Sequence, residues 1–189
     1  MDDGWLQLLG GITFLILHLI FSAKTEMGTK LFMNQFINQD GDRLVEIINF
    51  LPISDKLATA GQPTVEQFRE IADAGYETVI NLALPTSDGA IANEAELVQS
   101  LGMEYVAIPV LWESPTMEDF SQFLQAMDKR QNQKIFVHCA KNMRVSAFVY
   151  LYRRSRLDCP PEQAIADLHK IWQPNEIWQN FIDMSIGEI

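Results

Sequence analysis

The feature that most constrains this chain is a segment in which an apolar run meets a cysteine, a short polar loop and an arginine: Val137-His138-Cys139-Ala140-Lys141-Asn142-Met143-Arg144. Ile135 and Phe136 extend the apolar run upstream, and the apolar stretch Val145 to Leu151 follows the arginine. We expect a strand, a loop and a helix in that order. The backbone N–H groups of such a loop and of the first helical turn point inward, and the helix dipole favours negative charge there. The segment therefore predicts an anion cradle.

Cys139 and Arg144 carry the chemistry expected of this cradle. The positive field at a helix N-terminus favours the thiolate, which is the nucleophilic form of cysteine. An arginine at the opposite lip can donate to two oxygens of a phosphate-like group at once. The alternative is a structural cysteine at the end of a core strand, since free cysteine is among the most buried residue types. The strand and helix patterns on the two sides of the loop favour the catalytic or anion-binding interpretation.

Basic residues are concentrated around this loop. The formal net charge of the chain is -11, yet residues 129–156 contain no Asp or Glu. The basic residues of this range are Lys129, Arg130, Lys134, Lys141, Arg144, Arg153, Arg154 and Arg156. The last three also fit a solvated helix end. A positive focus in an acidic protein suits a small anionic substrate, whereas the overall acidity argues against nucleic acid as a partner.

Length and cysteine content limit the architecture. With 189 residues, 48% of them hydrophobic, the chain suits one domain with a substantial core. Two cysteines, Cys139 and Cys159, imply no disulfide framework. A redox pair between them is one alternative, and a partly buried structural Cys159 is the favoured one. No Cys/His cluster has metal-ligand spacing, because the histidines are scattered at His18, His138 and His169.

The N-terminal segment 1–30 has three interpretations. Trp5 to Phe21 is strongly apolar, and about 17 residues is the lower limit for a membrane-spanning helix. In the first interpretation, the segment is therefore a membrane anchor, which by the positive-inside rule leaves the domain in the cytoplasm. Alternatively, translation starts at Met27 or Met33 and the apolar segment results from a start codon assigned too far upstream. A cleaved secretory signal ranks third, because the acidic start of the chain lacks a basic n-region. All three leave a folded domain that begins near residue 44, and the favoured localisation is cytoplasmic, either free or anchored to the membrane by the N-terminal segment.

Strand and helix patterns alternate along residues 44–185. Thr64 and Gln67 form a capping-box pattern, and Gly75 is a helix stop signal. Strands are expected at 77–82, 103–110 and 135–138, with a short strand and turn at 55–63. Residues 44–51 are either a helix end or an edge strand. Helices are expected at 64–74, 93–100, 115–127, 145–156, 160–171 and 175–186. This alternation implies the α/β class, with a mainly parallel central sheet covered by helices on both faces. The cysteine loop then lies at the carboxyl end of a strand, where such folds place ligand sites.

Four segments together resemble a known family. They are Leu57-Ala58-Thr59-Ala60-Gly61-Gln62-Pro63-Thr64, Gly75-Tyr76-Glu77-Thr78-Val79-Ile80-Asn81-Leu82, Ile108-Pro109-Val110 and His138-Cys139. Over roughly residues 44–185 the chain resembles the cysteine-dependent protein tyrosine and dual-specificity phosphatase superfamily, and more narrowly a bacterial group of small phosphatase-like domains. The resemblance implies a metal-independent phosphatase without a cofactor. Its substrate would be a phosphomonoester, either a protein phosphotyrosine or phosphoserine or a small phosphorylated metabolite.

The resemblance also implies roles for individual residues. Cys139 would attack phosphorus to give a phosphocysteine intermediate, and Arg144 would bind the equatorial oxygens. The residues expected to line the substrate cradle with their backbone amides are Ala140, Lys141, Asn142 and Met143. His138 would orient the loop and support the thiolate. Ser146 would help to expel the thiolate, although the phosphatase pattern has this hydroxyl directly after the arginine.

The cysteine loop departs from the phosphatase pattern in its length. Four residues separate Cys139 from Arg144, where the phosphatase loop has five. The loop glycine is also missing, and Asn142 is the residue expected to adopt φ > 0 in its place. A shorter loop makes a tighter cradle and moves the arginine relative to the sulfur.

The general acid is the second departure. The resemblance places this acid in the loop after Ile108-Pro109-Val110, where position 111 is Leu. Glu113 is the nearest carboxylate and is the candidate acid. Glu118 and Asp119 begin the next helix, where acidic residues often serve only as caps. Trp112 is expected either to line the pocket or to pack in the core.

Two other functions fit the same residues. Four residues between cysteine and arginine is also the spacing of rhodanese-like sulfurtransferases, in which Cys139 would carry a persulfide and no acid is required. The third interpretation is a non-catalytic anion-binding domain that has kept the cradle and lost the acid. The preceding histidine and Gly61-Gln62-Pro63 favour the phosphatase.

Overall fold

The computed structural model describes residues 44–188, so the predicted N-terminal segment 1–30 lies outside the described part. Within it, strand β5 (Ile135–His138) forms the centre of a five-stranded sheet. The other strands are β1 (Leu51–Ser54), β2 (Leu57–Ala60), β3 (Thr78–Asn81) and β4 (Glu104–Ala107), in the spatial order β1-β2-β5-β3-β4. β1 pairs antiparallel with β2, and every other pairing is parallel. The predicted α/β class with a mainly parallel sheet is confirmed.

The three inner strands end at the same edge of the sheet. Ala60 of β2 and Asn81 of β3 both lie opposite His138 of β5. All residues of these strands are buried, as expected for parallel strands covered on both faces. The loops that leave β2, β3 and β5 therefore meet above one edge, and Cys139 follows His138 directly there.

Six helices cover the sheet within residues 44–188: α1 (Val65–Asp73), α2 (Glu94–Ser100), α3 (Met117–Asp128), α4 (Met143–Arg156), α5 (Pro161–Ile171) and α6 (Glu176–Glu188). The predicted capping box of Thr64 and Gln67 is present at α1. Thr116 and Asp119 form a second capping box at α3. α4 begins two residues before its predicted start. No helix in the described part is both long and apolar enough to cross a lipid bilayer.

Two apolar layers hold the helices on the sheet. Because side chains alternate along a strand, neighbouring residues of β5 enter different layers: Phe136 packs on the α1 side and Val137 on the α4 side. Phe68 of α1 and Phe148 of α4 are fully buried in their layers. Each such side chain contributes about 1.5–3 kcal/mol through burial. The predicted cover on both faces is therefore confirmed, and this cover fixes the positions of both ends of the cysteine loop.

Candidate active site

The cysteine loop forms the base of a pocket of about 350 Å³ at the carboxyl edge of the sheet. Cys139 is 1% exposed and follows β5 directly. The residues that line the pocket are Ser87, Asp88, Trp112, Cys139, Ala140, Lys141, Met143 and Arg144. The structure therefore brings together the predicted nucleophile, the predicted arginine and three of the four predicted cradle residues. The fourth, Asn142, is fully buried and does not line the pocket.

Backbone N–H groups of the loop are available to an anion. Those of Ala140, Lys141, Met143 and Arg144 have no hydrogen-bond acceptor among residues 44–188. Met143 and Arg144 form the first turn of α4, where N–H groups have no intrahelical partner and the helix dipole is positive. The arrangement is a cradle for an oxyanion with the Cys139 thiol at its base.

Arg144 is held in the pocket by main-chain oxygens. Its Nη1 donates to the carbonyl oxygens of Leu82 at 2.9 Å and Val110 at 3.4 Å. Its Nη2 lies 3.3 Å from Ser87 Oγ. The two carbonyls follow β3 and β4, so the ends of two strands fix the guanidinium, which is 7% exposed. The N–H groups that remain can bind the oxygens of a phosphate-like group.

Asn142 shapes the loop through its backbone and its side chain. Its φ of 63° confirms the predicted left-handed conformation, which asparagine tolerates better than most non-glycine residues. Its Nδ2 donates to the carbonyl oxygen of Asn49 at 2.7 Å and to Thr59 Oγ1 at 3.0 Å. Asn142 thus replaces the missing loop glycine and also links the loop to β2.

Gly61 allows the segment after β2 to lie against the cysteine loop. The Gln62 N–H donates to the carbonyl oxygen of Ala140 at 3.1 Å, and Gly61 is bridged to Lys141. A Cβ at Gly61 would lie 2.9 Å from the Ala140 oxygen and 2.9 Å from Ile48 Cβ. Both distances are too short for a side chain. The glycine of Gly61-Gln62-Pro63 is therefore required by this close approach.

A buried carboxylate, Glu94, lies behind the nucleophile. It is 4% exposed at the first residue of α2. Its Oε1 lies 3.1 Å from Nε2 of His138 and accepts hydrogen bonds from Asn81 Nδ2 at 2.7 Å and the Tyr105 hydroxyl at 2.9 Å. Gln62 Nε2 donates to Oε2. Glu94 therefore ties His138 to the last residue of β3, to β4 and to the segment that follows β2.

These contacts stabilise the charged form of Glu94. Burial opposes the charge, but the His138 imidazole and the hydrogen bonds of Gln62 and Tyr105 outweigh it and hold the pKa of Glu94 below its ordinary value of 4.5. Burial and the Glu94 charge raise the pKa of Tyr105, which keeps its donated proton. The predicted orienting role of His138 fits this network. The sequence analysis missed Glu94. The signal that could have identified it is an acidic residue at the start of a predicted helix, close to the strand ends that carry Gln62 and His138.

Two further predicted site residues lie away from the pocket wall. The Ser146 hydroxyl donates to the Met143 carbonyl oxygen at 2.9 Å and accepts from Trp172 Nε1 at 3.1 Å. It is not among the residues that line the pocket, and neither is Glu113, which is exposed. Trp112 does line it.

Cys159 lies apart from the site. It lines a separate pocket with Arg130 and Tyr152, and that pocket shares no lining residue with the one that contains Cys139. Both thiols are free. The structure therefore favours the structural interpretation of Cys159 over the redox pair.

The sheet order, the cysteine loop at the end of β5 and the arginine in the first turn of α4 are those of a domain of the protein tyrosine and dual-specificity phosphatase-like superfamily. A family model described as "DSP-PTPase phosphatase fused to NAD+ Kinase" matches residues 52–173. This chain belongs to that family.

Individual proteins are similar to this chain in sequence or in fold. A DUF442 protein of Shewanella putrefaciens CN-32, described as a candidate phosphatase, is 32% identical, with a TM-score of 0.70 over 78% of this chain and 97% of that chain. The fold of Tk-PTP in its active form is similar, with a TM-score of 0.64 at 14% identity over 75% of this chain and 98% of that one. A beta-lactamase hydrolase-like protein of Xylella fastidiosa is 30% identical over 101 residues, which are 51% of this chain and 23% of that protein. The chain thus spans about a quarter of the length of the curated relatives that it matches.

Proposed function

We propose that this protein hydrolyses a phosphomonoester through a phosphocysteine formed at Cys139. The observation that supports this most is the pocket shared by Cys139, Arg144 and the loop N–H groups, which have no acceptor in the described part of the chain. The proposed substrates are a protein phosphotyrosine or phosphoserine, or a small phosphorylated metabolite. No step of the proposed mechanism requires a metal ion or a cofactor.

In the first step the Cys139 thiolate attacks phosphorus. The S–P bond forms as the bond between phosphorus and the leaving oxygen breaks, and an acid in the pocket protonates that oxygen. Arg144 and the loop N–H groups bind the non-bridging oxygens, where charge is spread in the transition state. These donors are already in place, because the strand ends hold Arg144 and the loop is anchored by Asn142.

In the second step water hydrolyses the intermediate. A water oxygen attacks phosphorus, its proton passes to the conjugate base of the pocket acid, and the P–S bond breaks to restore the thiolate. Inorganic phosphate leaves, and the site returns to its starting protonation state. The Ser146 hydroxyl proton is already donated to the Met143 carbonyl oxygen, and its oxygen accepts from Trp172. The departing thiolate is therefore stabilised by the loop N–H groups and the helix dipole, and not by Ser146.

The length of the loop favours one competing activity. A cysteine and an arginine separated by four residues also fit a sulfurtransferase. There the Cys139 thiolate would take the outer sulfur of thiosulfate, release sulfite and become a persulfide. Cyanide would then remove that sulfur as thiocyanate and restore the thiolate.

One paired assay separates the two functions. The full-length protein is incubated with p-nitrophenyl phosphate in one arm and with thiosulfate and cyanide in the other. Cys139→Ser is the test variant, and Cys159→Ser is the matched control, because Cys159 is a free cysteine outside the pocket. We expect phosphate release that Cys139→Ser abolishes and Cys159→Ser retains. Thiocyanate formation with the same dependence on Cys139, and no phosphate release, would overturn the proposal.

A further inference from the structure

The geometry points to Asp88 as the general acid of this site, an inference that rests on the proposed phosphatase function. Asp88 belongs to the loop between β3 and α2, whereas the resemblance to phosphatases placed the acid after β4. Among the residues that line the pocket, Asp88 is the carboxylate. Three observations support this assignment: the position of Asp88 relative to Arg144, the absence of a partner for its carboxylate within residues 44–188, and the fixed position of the loop after β4.

The Asp88 turn is built onto the arginine of the site. The Ser87 N–H donates to the Leu84 carbonyl oxygen at 2.9 Å, and the Leu84 N–H donates to Ser87 Oγ at 3.1 Å. The same Ser87 Oγ lies 3.3 Å from Arg144 Nη2. Asp88 is therefore the immediate neighbour of a residue that contacts the phosphate-binding guanidinium. This connection holds the carboxylate beside the place where the phosphoryl group would lie.

The Asp88 carboxylate is free to exchange a proton. It is exposed, and it has no hydrogen-bond or ion-pair partner within residues 44–188. Two other carboxylates are engaged elsewhere: Glu94 is buried against His138, and Asp119 caps α3. An acid that must donate to a leaving group and then accept from water needs such an open position.

The loop after β4 directs Trp112, and not Glu113, towards the pocket. Trp178 Nε1 donates to the Trp112 carbonyl oxygen at 3.0 Å. The Trp112 ring lies 5.2 Å from that of Trp172 and 5.4 Å from that of Trp178, measured between centroids. This aromatic cluster fixes the loop and leaves Glu113 exposed and off the pocket wall.

Asp88 acts in both steps of the proposed reaction. Protonated Asp88 gives its proton to the leaving oxygen as the P–O bond breaks. The resulting carboxylate takes a proton from the water that attacks the phosphocysteine, which restores the acid.

The test uses leaving groups of different acidity. Asp88→Asn is compared with Glu113→Gln on a series of aryl phosphates, from phenyl phosphate, a poor leaving group, to dinitrophenyl phosphate, a good one. General acid catalysis is worth about 10²- to 10⁴-fold. We expect Asp88→Asn to lower kcat by at least about 100-fold on phenyl phosphate and by much less on dinitrophenyl phosphate, and to remove the basic limb of its pH profile. Glu113→Gln should leave kcat on each aryl phosphate and the pH profile unchanged.

The outcomes separate this inference from the proposed function. In one outcome, phosphate release needs Cys139 but depends on the leaving group in the same way in Asp88→Asn and in the wild type. That outcome overturns the role of Asp88 and leaves the proposed phosphatase function intact. The same outcome together with a changed profile in Glu113→Gln assigns the acid to Glu113. A wild-type protein that binds inorganic phosphate but hydrolyses no aryl phosphate overturns the phosphatase itself. Asp88 is exposed, so Asp88→Asn should fold, and an unchanged Tm verifies this.

Discussion

Asn49 and Asn142 are joined by a hydrogen bond of 2.7 Å, from Asn142 Nδ2 to the Asn49 carbonyl oxygen. Asn49 Nδ2 returns a hydrogen bond of 3.0 Å to the carbonyl oxygen of Lys141, the neighbour of Asn142. Both asparagines have positive φ angles, 50° and 63°. Each strained residue thus stabilises the segment that contains the other. The conformation of the cysteine loop consequently depends on a turn that precedes the sheet.

Replacing Asn142 tests the two roles of its backbone and side chain. Asn142→Gly keeps the left-handed conformation and loses two hydrogen bonds, each worth about 1 kcal/mol. Asn142→Ala loses the same bonds and adds about 1–2 kcal/mol of backbone strain. We therefore expect the free energy of unfolding in urea to fall more for the alanine variant than for the glycine variant. Equal losses would mean that the side-chain bonds alone hold the loop.

Gly61→Ala tests the close approach of the segment after β2 to the loop. The added methyl group would meet the Ala140 carbonyl oxygen, so the cysteine loop must shift. We expect kcat/KM for an aryl phosphate to fall at least about tenfold, because small displacements of a catalytic geometry are costly. Gly102→Ala is the matched control, since Gly102 has a φ of 83° and no atom within 4 Å of an added Cβ. That control should lose stability, by about 1–2 kcal/mol, and keep full activity.

The buried Glu94 should make the stability of the domain depend on pH. Its pKa in the folded state is below the ordinary value of 4.5, so the unfolded chain takes up a proton at higher pH than the folded one. The stabilisation is complete above about pH 4.5 and is lost as the pH falls through the folded-state pKa. The carboxyls of Glu104 and Asp167 have lowered pKa values as well and also make stability depend on pH. The contribution of Glu94 is therefore isolated by comparing the wild type with Glu94→Gln. We measure the free energy of unfolding in urea between pH 3 and 7, and we expect it to fall less steeply towards acid pH in Glu94→Gln than in the wild type. Parallel plots of this free energy against pH would contradict the prediction.

Arg144→Lys should remove the clamp without removing the charge. A lysine ammonium cannot contact the Leu82 oxygen and Ser87 while also binding two oxygens of a phosphate. We expect kcat for an aryl phosphate to fall by about 100-fold or more, with weaker inhibition by inorganic phosphate. The control is Arg156→Lys, because Arg156 is exposed and forms a long surface contact of 3.5 Å with Asp128. Retained activity in Arg144→Lys would show that charge, and not geometry, is what the site needs. An equal loss in Arg156→Lys would show that the loss is unrelated to the clamp.

Features that depend on neighbouring residues were predictable from the sequence. The helix start at Thr64 and its capping box are local hydrogen-bond patterns, and Pro161 begins α5 as expected. The strand at Ile135–His138 was predicted with its observed bounds, because a short buried apolar run between polar residues has few alternatives. The start of α4 was placed too late, since Asn142 serves as its N-cap without the usual side-chain bond.

Features that depend on distant residues were not predictable in this way. The position of β5 between β2 and β3 is a matter of strand pairing, which no local pattern encodes. Glu94 was missed because its partner His138 is far away in the chain. Glu113 was the candidate acid because it follows β4, whereas the contact between Trp178 and Trp112 decides which side chain of that loop faces the pocket. That contact joins residues 66 positions apart.

The anchoring of Arg144 by the main-chain oxygens of Leu82 and Val110 bears on how this site can diversify. Every amino acid supplies a carbonyl oxygen, so an apolar replacement at either position preserves the acceptors of the guanidinium. Substrate preference can therefore drift through the rim, at Trp112, Lys141 or Met143, without detaching the cation. A library that randomises those three rim positions should consequently yield variants with new selectivity that still bind inorganic phosphate.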